Sequence, residues 1–373
     1  MTVAVGLVGF GFSARVLHTP LILAAGMHIE AVVSRHAAAV HVALPNAEVL
    51  PDLEALLAQP EPELIVIATP NHLHAPQALA ALASGRHVVV DKPLALSSLE
   101  ADQLISAADR HGRHLSVFHN RRWDSDFLTL QRLVAEQRLG PLAAFEARWD
   151  RYRPAIAERW REHAECGGGL LYDLGSHLID QALCLFGMPD WIQAQLLHQR
   201  TGTRVDDGFQ LQLGFGAMSA SIGASSIAAD HALRYRLHGF KGSFRKSGLD
   251  MQEQQLRAGR APTNAAFGVE SPAHWGLLIE GEPAREQSVP AERGRWLEFY
   301  TAVRASLERS AAPPVPANEA RRVLLLIEAA QRSAELGCRI DFRSSRPALG
   351  DQIGVEPHSG SASARADSAP SAG

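Results

Sequence analysis

Three side chains in this 373-residue sequence have the types and surroundings to move a proton: Lys92, Asp173 and His177. Lys92 stands in Asp91-Lys92-Pro93, directly after the apolar run Val88, Val89, Val90, so it closes what reads as a buried strand. A side chain at the carboxyl end of a parallel strand faces the crevice where open α/β sheets bind ligands. Pro93 fixes its own φ and keeps the residue before it extended, which aims the lysine. Taken alone, Lys92 reads equally well as a solvated strand terminus. Asp173 and His177 follow the glycines Gly167, Gly168 and Gly169 in a predicted helix. Four residues apart, they share one helix face, where a carboxylate orients an imidazole or holds its charge. An imidazole titrating near neutrality is suited to take a hydroxyl proton while hydride leaves the same carbon. An ordinary surface pair has the same spacing.

The elements that must position these groups come in two styles. Through residue 118, β-branched runs at 3–8, 29–33, 64–68, 87–90 and 115–118 alternate with amphipathic stretches at 14–25, 53–59, 75–84 and 99–111. That rhythm predicts a doubly wound parallel sheet covered by helices, the last two capped by Gly85 and Gly112. Beyond it the sequence predicts a helix at 125–137, a strand at 142–150 and a helix at 170–186. Strands follow at 191–198, 209–215, 219–225, 233–238 and 243–247. Consecutive strands without helices between them predict an open, mostly antiparallel sheet, hence an α+β part. Helices at 295–308 and 318–337, the second capped by Asn318, are expected to return to the first part. The expected division is a dinucleotide-binding Rossmann domain at 1–122, a substrate-binding and oligomerisation domain at 123–343, and a disordered tail at 344–373. No apolar residue larger than alanine occurs beyond Val355.

The first strand runs into Gly9-Phe10-Gly11-Phe12-Ser13-Ala14, a G-x-G-x-x-A at a strand-to-helix junction. Gly9 allows the tight turn, Gly11 lets a pyrophosphate approach the backbone, and Ala14 lets the helix pack closely. Gly9, Phe10, Gly11, Phe12 and Ser13 are therefore the expected cofactor cradle. After the second strand the sequence reads Ser34-Arg35-His36, without the carboxylate that accepts ribose hydroxyls in NAD sites. A hydroxyl beside a guanidinium suits a 2′-phosphate, so NADP is expected over NAD. Thr69, Pro70, Asn71 and His74 follow the strand at 64–68 and are expected to line the cofactor with Lys92. His72 and His74 have no carboxylate or cysteine at ligand spacing, so no metal is expected. Asn120, Arg121, Arg122 and Trp123, with Tyr152 and Arg153, offer donors and flat apolar faces to a polyhydroxylated substrate alongside Asp173 and His177. Arg122 and Trp123 read equally well as stitches between domains.

A net charge of −4 with 20% charged residues gives no basic field for nucleic acid. Cys166, Cys184 and Cys338 form no zinc or disulfide pattern. No basic leader opens the chain, and no stretch approaches the roughly 18 apolar residues of a membrane span. A soluble cytoplasmic protein is expected.

In this order, Gly9-x-Gly11-x-x-Ala14, Thr69-Pro70-Asn71, Asp91-Lys92-Pro93 and Asp173-x-x-x-His177 resemble the Gfo/Idh/MocA family of NAD(P)-dependent sugar and inositol dehydrogenases. The resemblance extends to about residue 343, with Asp91 where the family typically has Glu. Within the family the closest likeness is to a bacterial subgroup that includes NADP-dependent scyllo-inositol dehydrogenases. The resemblance implies that Lys92 hydrogen-bonds the reacting oxygen and that His177 is the acid/base. Asp173 would orient His177 or bind a neighbouring hydroxyl. It further implies a homodimer or homotetramer and a small polyol, inositol or sugar substrate. Two other functions fit the same residues, a reductase of a non-sugar carbonyl or imine and an NADP-binding sensor without turnover. The sensor is the poorer fit, because binding alone does not require Lys92, Asp173 and His177.

Overall fold

Short β-branched runs bury both faces in a parallel sheet, and residues 3–118 form one. The computed structural model describes residues 2–309 and 311–342. Strands β1 (Ala4–Val8), β2 (His28–Val33), β3 (Glu48–Leu50), β4 (Leu64–Ile67), β5 (His87–Asp91) and β6 (Leu115–Phe118) lie in the order β3-β2-β1-β4-β5-β6. All their pairings are parallel. Helices α1 (Thr19–Ala24), α2 (Ala37–Ala43), α3 (Leu53–Ala58), α4 (His74–Ala83) and α5 (Ser98–His111) connect them. The order reverses between β1 and β4, which makes the carboxyl ends of those strands the ligand crevice.

Three departures from expectation occur here: β3 and α2 are additional elements, and the first helix is divided. β3 has three residues and α2 buries only Val40, so neither carries a legible period. The predicted first helix is divided into a π-helical turn at Ser13–His18 and α1, with Pro20 at the start of the latter. Gly112 caps α5 at φ +60, and Gly85, at φ +78, follows the end of α4. Both angles lie in the left-handed region that glycine enters without steric cost.

After α6 (Ser125–Ala135) comes β7 (Leu142–Arg148), then a π-helical turn at Leu171–Gly175 that leads into α7 (Ser176–Phe186). The second sheet continues with β8 (Trp191–Leu197), β9 (Gly208–Phe215), β10 (Met218–Ser225), β11 (Leu233–Gly239) and β12 (Gly242–Ser247). α8 (Gln252–Arg257), β13 (Gly276–Glu280) and β14 (Arg285–Val289) follow, then α9 (Leu297–Arg309), α10 (Ala317–Leu336) and β15 (Ile340–Asp341). The strand order is β14-β13-β12-β11-β7-β10-β9-β8-β15. Its pairs are antiparallel except β7 with β10, which run parallel because β7 enters the middle of a sheet built mostly later in the chain. β13, β14, β15 and α8 have no counterpart among the expected elements.

The last two helices do return. α10 lies against α5, where Arg321 pairs with Asp102 and Glu328 accepts from the Ser98 amide at 2.6 Å and its hydroxyl at 2.7 Å. The chain ahead of α10 shields the edge of β6, with the Val117 amide donating to Val315 at 3.2 Å. Asn318 is not the cap of this helix. α10 begins at Ala317 after extended Pro316, which puts Asn318 inside the first turn. The tail expected at 344–373 lies outside the described residues.

Candidate active site

Backbone geometry shapes the cofactor cleft first. Gly9 sits at φ +90, and a Cβ there would meet the Ala68 carbonyl oxygen at 2.9 Å. A Cβ on Gly11 would meet nothing within 4 Å, so the space over this glycine is open. A 630 Å³ cavity begins there, lined by Gly9, Phe10, Gly11, Phe12 and Ser13, by Ser34 and Arg35, and by Thr69 and Pro70. The π-helical turn after the loop departs from regular helix where the backbone faces this cavity, a common position for such turns. The glycine loop and the open volume beside it fit a dinucleotide. Replacing Gly9 with alanine is expected to cost about 1–3 kcal/mol of stability and to weaken NADPH binding at least tenfold. Urea unfolding and a fluorescence titration of NADPH would measure the two effects. Unchanged values would remove the glycine from this role.

Lys92 projects from the end of β5 toward the second sheet, and the Lys92–Pro93 peptide is cis. Its Nζ donates to the Asp173 carbonyl at 2.6 Å and to the Asp173 carboxylate at 3.2 Å. Arg161 at 3.3 Å and Arg151 at 3.5 Å share that carboxylate. Burial alone would raise the pKa of Asp173, but Lys92, Arg161 and Arg151 overcome it and hold the group well below the ordinary carboxylate range. Burial likewise lowers the pKa of Lys92, against the opposing pull of Asp173 and Asp91. His177 lines the same 300 Å³ cavity, with its ring 5.5 Å from that of Trp149. Burial, then the charges of Lys92 and Arg121, push its pKa well below the ordinary histidine value, so the imidazole is neutral at neutral pH. Among the described residues its Nδ1 is buried without a hydrogen-bond partner, as is the Asn120 amide nitrogen beside the cavity.

Asp91, the unusual member of the lysine motif, has a defined task. Its carboxylate accepts from Ser13 Oγ at 2.6 Å and from the Lys92 amide at 2.8 Å, tying the glycine loop to the lysine's own backbone. His18 backs it at 3.7 Å and in turn meets the Tyr300 hydroxyl at 2.6 Å. Burial would raise the pKa of Asp91, but His18, Lys92 and Ser13 hold it low.

Residues 3–119 match the sequence profile described as "Oxidoreductase family, NAD-binding Rossmann fold", and residues 127–245 match the "GFO/IDH/MocA C-terminal domain". The chain belongs to the Gfo/Idh/MocA family. It is 39% identical to scyllo-inositol 2-dehydrogenase (NADP(+)) IolW of Bacillus subtilis, over 90% of this chain and 94% of that one. The Escherichia coli uncharacterized oxidoreductase YdgJ is also 39% identical, over 89% of this chain and 96% of its own. Among solved structures, a putative oxidoreductase, yvaA, from Bacillus subtilis superposes with a TM-score of 0.88 at 38% identity, covering 91% of this chain and 98% of that one. This Gfo/Idh/MocA protein is therefore an oxidoreductase with an NAD-binding Rossmann fold.

The structure brings some expected residues to the site and sends others elsewhere. Asp173 does not hydrogen-bond His177, because its oxygens are occupied by three cations. Asn71 donates to the Gly167 carbonyl at 2.8 Å, and His74 lies between the Pro93 and Thr69 carbonyls at 2.7 and 2.9 Å. Both brace the loops behind the cleft and do not line it. The single turn Asn120–Trp123 fans its side chains outward, so only Asn120 and Arg121 reach the inner cavity. Arg122 pairs with Asp180 at 2.6 Å and with Glu319, while Trp123 packs edge-on against Phe299 at 5.8 Å, so both join helices instead of meeting substrate. Arg121 is wedged between Trp149 and Trp296, with its charge 4.9 and 4.7 Å from their ring centres, and pairs with Glu253 at 2.6 Å. Arg153 lines the inner cavity and a 690 Å³ outer one, whereas Tyr152 lines only the outer. Arg151 and Arg161 were not expected. Residue 151 lies two before Arg153 in an extended segment, and the period of two in such a segment was the available signal. Among the described residues no group of three His, Cys, Asp or Glu side chains is arranged to hold a metal ion, and no helix is long and apolar enough to cross a membrane.

Proposed function

We propose that this protein is an NADP(H)-dependent dehydrogenase interconverting a secondary alcohol and a ketone on an inositol, sugar or related polyol. The observation that carries this reading is one cavity holding Lys92, anchored on Asp173, and the neutral imidazole of His177, next to the cleft over Gly11. The glycine loop, Thr69 and Pro70 would hold a dinucleotide in that cleft, and its nicotinamide would supply hydride acceptance in one direction and hydride donation in the other. Lys92 donates a hydrogen bond to the reacting oxygen and stabilises the negative charge that develops there. His177 takes the hydroxyl proton during oxidation and returns it during reduction. Asp173 holds Lys92 in place. The name of the Bacillus relative, an NADP(+)-dependent inositol dehydrogenase, supports the substrate class. In this reading residues 1–122 bind the dinucleotide, 123–343 bind substrate, and the enzyme is a cytoplasmic homodimer or homotetramer. Light scattering on the purified protein checks the assembly, and a monomer would contradict it.

The NADP preference rests on Ser34 and exposed Arg35, which line the cleft directly after β2 in place of a carboxylate, while Asp52 of the same lining accepts from the Ala55 amide at 2.9 Å as the cap of α3. Loss of a charge-assisted pair costs about 1.5–3 kcal/mol. Arg35→Ala should therefore raise the KM for NADP at least tenfold with little change for NAD. Initial rates with both cofactors, against a panel of inositols, aldoses and their keto forms, test the two assignments together. Equal or better turnover of the wild type with NAD would reject the cofactor assignment.

A further inference from the structure

The cavity around the reacting position is more cationic than a neutral polyol requires. Seven Lys or Arg side chains and three carboxylates line it. Each of those carboxylates is already engaged. Asp91 accepts from Ser13 and the Lys92 amide, and Asp173 is shared among Lys92, Arg161 and Arg151. Glu253 is divided between Arg121 at 2.6 Å and Arg257 at 2.8 Å. Arg153, which reaches both the inner and the outer cavity, makes no ion pair or side-chain hydrogen bond among the described residues. Its neighbour Arg151 lies 3.5 Å from Asp173, a carboxylate already engaged by Lys92 and Arg161, and 5.7 Å from the ring centre of Trp149. Burial lowers the pKa of Arg151, and the charge of Arg153 adds to that against the pull of Asp173. Arg153 has no ion pair among the described residues and Arg151 shares the Asp173 carboxylate with Lys92 and Arg161, so the two neighbouring guanidiniums have no counter-charge of their own. Neither of them lines the cofactor cleft, so the dinucleotide phosphates do not supply it.

We propose that the substrate is a polyol or sugar carrying an anionic group, a carboxylate or a phosphate monoester, held between Arg151 and Arg153 while its reacting hydroxyl lies at Lys92 and His177. Planar guanidiniums grip either group through paired hydrogen bonds. The outer cavity, continuous in its lining with the inner one, has room for the remainder of a substituted ring. This deepens the polyol-dehydrogenase reading and rests on it.

The test measures kcat/KM with NADP+ for D-glucuronate and myo-inositol 1-phosphate against neutral D-glucose and scyllo-inositol. Calorimetric titration of the same four compounds into NADPH-loaded protein, where these alcohols form a dead-end complex, measures binding alone. At least one anionic compound should be preferred at least tenfold, and which of the two it is separates carboxylate from phosphate. Arg153 is exposed, so Arg153→Ala leaves the core intact. That variant should cut the anionic-to-neutral ratio at least tenfold, with partial recovery in Arg153→Lys. Equal binding of neutral and anionic compounds, binding of none, or a ratio unaffected by Arg153→Ala would overturn the anion site. Turnover of neutral polyols without preference rejects the anion site and leaves the dehydrogenase reading standing. Selective binding of an anionic compound without turnover of any does the reverse.

Discussion

Lys92→Ala is expected to lower kcat by roughly 10²–10³-fold, the range that loss of one preorganised donor to a developing oxyanion costs, while NADPH still binds. The lysine is held at 2.6 Å by a backbone carbonyl and at 3.2 Å by the carboxylate of Asp173, so its ammonium is fixed before substrate arrives. Preorganised donors of this kind act on charge that develops in the transition state. Removing the side chain does not strand Asp173, whose carboxylate keeps Arg161 and Arg151. The fold should therefore survive, and Lys92→Met, which keeps most of the volume, separates loss of charge from loss of packing. If either variant turned over at the wild-type rate, the lysine would be only a strand terminus.

His177→Ala should cost a similar factor, roughly 10²–10⁴-fold in kcat, and should also change the shape of the pH profile. Burial, Lys92 and Arg121 favour the neutral ring and place the pKa of His177 well below 6.5. A base must be deprotonated to act, so oxidation should stay level as pH falls from neutrality and decline only as the pH drops through that lowered pKa. The variant should lose this limb while its residual rate is low throughout. His177→Asn, which retains a polar side chain without a titrating group, should behave likewise. Persistence of the acid limb in both variants would assign it to another group.

Much of this site can be read along the chain because its pieces sit at strand ends. The valine run ahead of Lys92, the glycines of the first loop and the break after Val33 each mark the carboxyl edge of a parallel strand, and that edge is where the crevice forms. The partnerships are less legible, since they join residues far apart in sequence. Asp173 is four residues from His177, yet its partner is Lys92, 81 positions away. No local period encodes that contact. Likewise Arg122 carries the same chemistry as Arg121, but one turn directs it to Asp180 and Glu319 on α7 and α10. Asp91 has no explanation within its own motif, because Ser13 lies 78 residues from it. The elements that went unread, β3, α2, α8, β13, β14 and β15, are short or lie in the stretch of residues 248–290, where packing instead of periodicity decides the structure.

The most direct test of the account is isotope transfer. Purified protein is incubated with NADPH carrying deuterium at the transferable C4 position and with the keto form of a polyol that it turns over. Mass spectrometry then locates the label. Deuterium is expected on the new carbinol carbon with the wild type, and labelling should fall at least a hundredfold in Lys92→Ala. Oxidation of NADPH without label on that carbon, or equal labelling by the variant, would contradict the mechanism.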